Sequence, residues 1–148
     1  MKADHRRILI LCKTYPSPSS KYVETSCVAG MDEAGHLVRL FPVPFRLITD
    51  DQQFKKWQWI EARVRKATDD RRPESHRISV DTIQTLGDPL STRDEWVERR
   101  LAIDRVEVFD DFEQLEAARQ SRGISLGLVR PSRLVDMLIS KWSSADWT

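Results

Sequence analysis

Hydrophobic and polar positions change rhythm partway along the chain. Arg7-Ile-Leu-Ile-Leu-Cys-Lys13 is a short unbroken apolar run. Its length and branched residues predict a buried strand rather than a helix. Tyr15-Pro-Ser-Pro-Ser-Ser20 follows, and its prolines and serines predict a loop. Lys21 to Met31 reads as a second strand and His36 to Phe41 as a third. Between them Asp32-Glu-Ala-Gly35 forms a turn in which Gly35 can take positive φ. Strand, four-residue turn and strand make a hairpin. Pro42 and Pro44 are expected to end its ladder or to mark an edge.

Residues 50–56 predict one helical turn with Asp50 as N-cap. From Trp57 to Ala67 the pattern alternates. Trp57, Trp59, Glu61, Arg63 and Arg65 fall on one face, and Ile60, Ala62 and Val64 on the other. That is a half-buried strand with an outer face that runs from aromatic to basic. Asp69 to Glu74 is a charged turn, and His76 to Leu86 is one further strand, broken by Gly87-Asp-Pro89.

The second half moves to a helical period. Ser91-Thr-Arg-Asp94 resembles a capping box, and Trp96, Val97, Arg100, Leu101 and Ile103 fit a helix over about 92–104. Asp110 or Asp111 caps a second helix carrying Phe112, Leu115, Glu116 and Arg119, which Gly123 stops. Ile124 to Val129 is a final strand ended by Pro131. Ser132 to Trp142 fits either period and is assigned as a strand on its β-branched content. The expected fold class is α+β, mostly β: a small antiparallel OB-like barrel with two packed helices. One domain spans 1–148, with a basic β-rich part at about 6–90 and an acidic helical part with the final strands at about 91–148.

Charge sharpens that division. The net charge is +1, but residues 1–80 carry 15 Lys/Arg against 10 Asp/Glu, a net of +5, and residues 81–148 carry 9 against 13, a net of −4. A basic half suits a polyanion; the plainer alternative is two oppositely charged surfaces packed together. The 148 residues, 40% of them hydrophobic, are enough for a core without staples. No stretch approaches 18 apolar residues, and the start MKADHRR is too charged for a signal peptide, so no membrane contact and a cytoplasmic location are expected. Cys12 and Cys27 then read as reduced, buried thiols.

No catalytic motif stands in the context that its chemistry needs. Cys12 and Cys27 lie 15 residues apart, and the three histidines are scattered, so no metal site and no cofactor are expected. GxxxxGK[ST] and GxGxxG do not occur, and the one GxSxG, Gly123-Ile-Ser-Leu-Gly127, follows a predicted helix and opens a strand, where a nucleophile elbow needs strand, turn and helix. Glu61 with Asp50, Asp69 and Asp70 offers carboxylates for a metal-dependent nuclease, but Arg63 stands where such a site needs lysine. No catalytic residue is assigned.

The informative stretch is Gly35 to Arg72. Arg39, Arg46, Lys55, Lys56, Arg63, Arg65, Lys66, Arg71 and Arg72 are interleaved with Phe41, Phe45, Phe54, Trp57 and Trp59. Cations neutralise phosphates and aromatic faces stack bases. Arg39, Arg46, Lys55, Lys56, Trp57, Arg63, Arg65, Lys66, Arg71 and Arg72 are therefore the candidate nucleic-acid contacts. Against this, Phe41 and Phe45 alternate like core residues, and Asp69, Asp70 and Glu74 stand close enough to pair with Arg71 and Arg72.

Cys27-Val-Ala-Gly30, followed by Gly35-His-Leu-Val-Arg-Leu-Phe-Pro42, resembles the hairpin of the dual-OB-domain proteins. Ile124-Ser-Leu-Gly-Leu-Val-Arg-Pro131 resembles a later strand of similar uncharacterised prokaryotic proteins. The resemblance covers about half the chain in two patches. It implies an OB-type fold and nucleic-acid binding near mobile-element and defence genes. The expected function is a non-enzymatic nucleic-acid-binding module, DNA or RNA, using the basic half. A protein-interaction subunit docking through its acidic helices is the alternative, and a metal-dependent nuclease a third reading.

Overall fold

The computed structural model describes residues 4–14, 17–19, 23–44, 48–133 and 135–140. Among these residues nine strands and two α-helices follow in order: β1 (Asp4–Lys13), β2 (Ser17–Ser19), β3 (Val23–Asp32), β4 (Leu37–Val43), β5 (Trp59–Lys66), β6 (Ser75–Ile78), β7 (Gln84–Leu86), α1 (Arg93–Ile103), β8 (Val108–Phe109), α2 (Phe112–Arg122) and β9 (Leu128–Val129).

Five of these strands close a barrel in the order β1–β3–β4–β6–β5, with β5 returning to β1. Every neighbouring pair is antiparallel except β4–β6. The short strands β2 and β7 extend β3 and β5. The fold is thus mostly β, a small OB-like barrel carrying two helices.

Alternation sets the inside of the barrel. Ile60, Ala62 and Val64 of β5 point inward with Ile8 and Ile10 of β1, Val28 of β3, and Val38, Leu40 and Val43 of β4. Phe54, Ile48 and Ile83 close the cluster. Each fully buried aliphatic side chain of this kind contributes about 1.5–3 kcal/mol. β1 is buried on both faces, as an unbroken apolar run requires: Leu9, between Ile8 and Ile10, points outward with Met31 into a second cluster that Val106, Ala102 and Ile103 cover.

The hairpin forms where predicted. Gly35 has φ 90°, and a Cβ on it would collide with the backbone of Arg105, so both dihedral and space demand glycine. The second helix also forms as read: the Asp111 side chain accepts from the Gln114 N–H at 2.8 Å, and Gly123 closes the helix at φ 70°.

Several expectations need correction. Ser17–Ser19 is a short strand on β3 rather than part of a loop, while Tyr15, Pro16 and Ser20 lie outside the described residues. β4 runs through Pro42 to Val43, which pairs with Ser26. The turn after it is a 3-10 turn, Asp50–Gln52, capped by Thr49 rather than Asp50. The strand expected over 76–86 is interrupted by a second 3-10 turn, Val80–Thr82. Both halves still lie along β5, and the break stands beside Arg63, whose backbone bonds Ser79 N and Thr82 Oγ1 instead. The capping box of α1 is not made: Thr92 caps it without a side-chain bond, and Asp94, Glu95 and Trp96 have left-handed dihedrals. Only Leu128–Val129 of the 124–129 strand pairs, in parallel with β8. Residues 132–133 and 135–140 are not strand; Leu134 and Trp142 lie outside the described residues. Cys12 is exposed and Cys27 half-buried, because both lie on the outer side of their strands rather than in the core.

Candidate nucleic-acid interface

The site is built on the outer surface of β4, β6 and β5. Val38 and Leu40 point into the barrel, so Arg39 and Phe41, which alternate with them, stand on its outside. On β6, Arg77 pairs with Arg65 of β5, and Ser75 pairs with Arg39. Arg63, two residues along β5 from Arg65, faces His5 of β1. A basic strip therefore runs around the barrel from Arg39 through Arg77 to Arg65 and Arg63. Two shallow clefts of about 340 and 580 Å³ lie along it and share Asp69 and Arg77.

The turn between β5 and β6 organises one end. Asp70 accepts from Arg72 Nε at 2.9 Å, from Arg72 Nη2 at 2.7 Å and from Arg39 Nη1 at 3.1 Å. The Arg72 guanidinium, foremost among these partners, holds the Asp70 carboxyl well below the usual carboxylate range. The Lys66 ammonium points into the turn and donates to the carbonyls of Arg72 and, at 3.1 Å, of Ser75. Arg77 pairs with Asp69 and donates to the Phe41 carbonyl at 3.1 Å. The Asp69 pKa is lowered, first by its own backbone N–H and then by Arg77. Phe41, 38% exposed, lies beneath two guanidiniums, Arg39 at 5.2 Å and Arg77 at 6.0 Å from its ring centre.

These contacts sort the candidate residues. Arg63, Arg65 and Arg71 are exposed and have no acidic partner among the described residues. Glu61 does not neutralise Arg63; it takes Arg7 at 3.4 Å and His5 at 3.8 Å. Arg39, Lys66 and Arg72 are committed to the turn. Lys55 and Lys56 are exposed on the segment leading into β5; burial, and then the charge of Lys56, lower the pKa of Lys13. Trp57 is half-buried under Arg99, which lies 5.0 Å from its ring, and Trp59 packs in the same second cluster. The aromatic end of the outer face of β5 is therefore covered by the helical layer, and only its basic end meets solvent. Arg46 and Phe45 lie outside the described residues. Phe41 is exposed, not core.

Sequence reasoning passed over Arg77. Its signal was present: in 76–86 it alternates with Ile78 and so shares the outward side of that strand. Among the described residues no group of three His, Cys, Asp or Glu converges to hold a metal ion. No described helix is long and apolar enough to cross a membrane.

Comparison with curated proteins and with solved structures finds no match to this chain. One family model does match, over residues 4–105, which takes in the whole barrel and α1. The chain thus belongs to the family described as domain of unknown function DUF8758.

Proposed function

We propose that this chain is a non-enzymatic nucleic-acid-binding module of the cytoplasm that holds a strand across the outer surface of β4, β6 and β5. The observation that carries this reading is the set of exposed, acid-free guanidiniums, Arg63, Arg65 and Arg71, beside an exposed Phe41. Unpaired arginines on a barrel wall capture phosphates without reading sequence. Phe41 offers a face for a base, already polarised by Arg39 and Arg77. OB barrels use the outer face of their second and third strands, together with the turn between the fourth and fifth, for oligonucleotides. In this barrel those elements are β3, β4 and the turn holding Arg71 and Arg72; the strip shares β4 and that turn with them, and Arg63 and Arg65 extend it onto the fourth barrel strand, β5. The resemblance to dual-OB-domain proteins supports the same reading and suggests a place in a prokaryotic defence or mobile-element complex. A second reading, docking of a protein on the helical layer, is favoured by the exposure of Trp96, Leu101 and Phe112.

Fluorescence anisotropy with labelled single-stranded and duplex oligonucleotides tests the proposal. Arg63→Ala/Arg65→Ala should weaken every sequence by a similar factor. It should also lower the slope of log K against log salt by about one to two units, at about 0.7–0.9 per phosphate contact. An unchanged slope, or a parent protein that does not bind at low salt, sinks the proposal and leaves protein docking.

A further inference from the structure

A second concave site lies at the mouth of the barrel. A cavity of about 700 Å³ opens between the ends of β1, β3, β4 and β6 and the chain around 105–109 and 122–127. Barrel mouths of this size, with an apolar lining and a few converging polar groups, are where small ligands bind. Leu37, Val38, Val106, Phe109, Ile124 and Leu126 supply the apolar wall.

The polar groups divide into those already satisfied and those that are not. Asp32 accepts from Ala34 N at 3.0 Å, His36 N at 2.9 Å and His36 Nδ1 at 3.2 Å. Glu107 is paired with Arg122 at 2.9 Å. Glu74 is different. It is 6% exposed, and its Oε1 accepts from both Ser125 N, at 2.6 Å, and Ser125 Oγ. Its Oε2 is buried with no hydrogen-bond partner. An unsatisfied buried carboxylate oxygen is costly and rare. Beside it His76, 8% exposed, has Nδ1 2.8 Å from the Glu74 carbonyl. A carbonyl only accepts, so Nδ1 carries the proton and Nε2 of the neutral ring is an acceptor. At the rim, Arg6 has no acidic partner among the described residues, and Arg105 bonds only a carbonyl, that of Glu33, at 3.0 Å.

The cavity thus offers a buried acceptor without a donor, Glu74 Oε2, a second acceptor beside it, His76 Nε2, and at its rim the guanidiniums of Arg6 and Arg105. We propose that this cavity binds a nucleoside monophosphate whose base presents adjacent N–H donors, guanine fitting best, with its edge on Glu74 and His76 and its phosphate on Arg6 and Arg105. Guanine carries N1–H and N2–H side by side, whereas uracil sets a single N–H between two carbonyls, which would face acceptors with acceptors. As the chain stands Oε2 is closed to water. Binding a base edge there requires the segment 124–127, which has no secondary structure and is held to Glu74 through Ser125, to move aside.

The proposal is independent of the basic strip, because that strip is tested with Arg63 and Arg65 and this cavity with Glu74 and Arg6. Isothermal titration of the full chain with guanosine 5′-monophosphate, uridine 5′-monophosphate, guanosine and inorganic phosphate decides it. The guanine nucleotide should bind at least tenfold tighter than the uracil nucleotide. Glu74→Gln, which puts a donor in place of an acceptor, should lose that preference. Arg6→Ala should weaken the nucleotide by about tenfold and leave guanosine unchanged. If Glu74→Gln does not fold, the preference of the parent and the Arg6→Ala result still decide. Equal binding of the two nucleotides, or binding of neither at millimolar concentration, overturns the proposal. Displacement of bound nucleotide by an oligonucleotide with one guanine, but not by one of thymine alone, identifies a base within a strand as the source. Lack of displacement identifies the free nucleotide.

Discussion

The barrel and the helical layer are built by different rules. Inside the barrel Ile8, Ile10, Val28, Leu40 and Ile60 are wholly buried, and each strand is hydrogen-bonded on both sides. α1 buries none of its residues, α2 buries only Ala118, and Trp96, Leu101 and Phe112 are left 53–76% exposed. What the layer does cover is the outward side of β1 and of the start of β5, through Val106, Ala102 and Ile103. Stability should therefore concentrate in the barrel, while the helices act mainly as a cover whose far side is free.

Three measurements press on that contrast. The largest effect is expected from Leu40→Ala, which leaves a cavity at the centre of the barrel core and should cost about 2–5 kcal/mol in urea unfolding. A loss below about 1 kcal/mol would mean that the core is loosely packed. An intermediate effect is expected from pH. Burial lowers the pKa of His76 below its usual 6.5, with Arg6 and Lys66 adding to the shift and the Glu74 carbonyl opposing it. The folded chain then holds the ring neutral where the unfolded chain protonates it. Stability is fully present above about pH 6.5 and falls as pH drops from there through the lower folded value. The urea midpoint should fall between pH 7 and pH 5, and His76→Gln should flatten that part of the profile. An identical pH profile in the variant would show that His76 is not the group responsible. The smallest effect is expected from Leu101→Ala on the free side of α1, within about 0.5 kcal/mol. A loss as large as that of Leu40→Ala would mean that this face is covered in solution.

The same contrast explains what could be read from the sequence. Periodicity reports one face of one strand, and where a single face is buried the reading was right. Ile60, Ala62 and Val64 alternate as expected, Ile8-Leu9-Ile10 marks a strand covered on both sides, and Gly35, Asp111 and Gly123 carry their turn and caps through local chemistry. Features set by distant neighbours were not legible. Trp57 and Trp59 look like an exposed aromatic row until Arg99, Ala102 and Ile103 are folded over them. Phe41 looks like core until β6 places Arg77 beside it. Arg39 and Asp70 are 31 residues apart, so no local pattern announces their pairing. At the break Val80–Thr82 the Thr82 hydroxyl accepts from the Arg63 N–H across the sheet and donates to the Ser79 carbonyl, a pairing that strand periodicity does not announce. Of the candidate site, the basic character of β5 was legible; which guanidiniums stay free depends on the tertiary partners of Asp69, Asp70 and Glu61.

The return of β5 to β1 also shapes how the protein can associate with others. With the ring closed, the strands with one side wholly unpaired among the described residues are short, three residues each in β2 and β7 and two each in β8 and β9, and within the ring only short stretches such as Phe41–Val43 of β4 lack a neighbour on one side. Segments of that length are poor templates for a foreign strand, so the backbone offers little purchase for cross-β recruitment or for peptide addition along an edge. Association is then left mainly to side chains on the outside of the wall, which ties selectivity to residues that can change one at a time without disturbing the ladder beneath them.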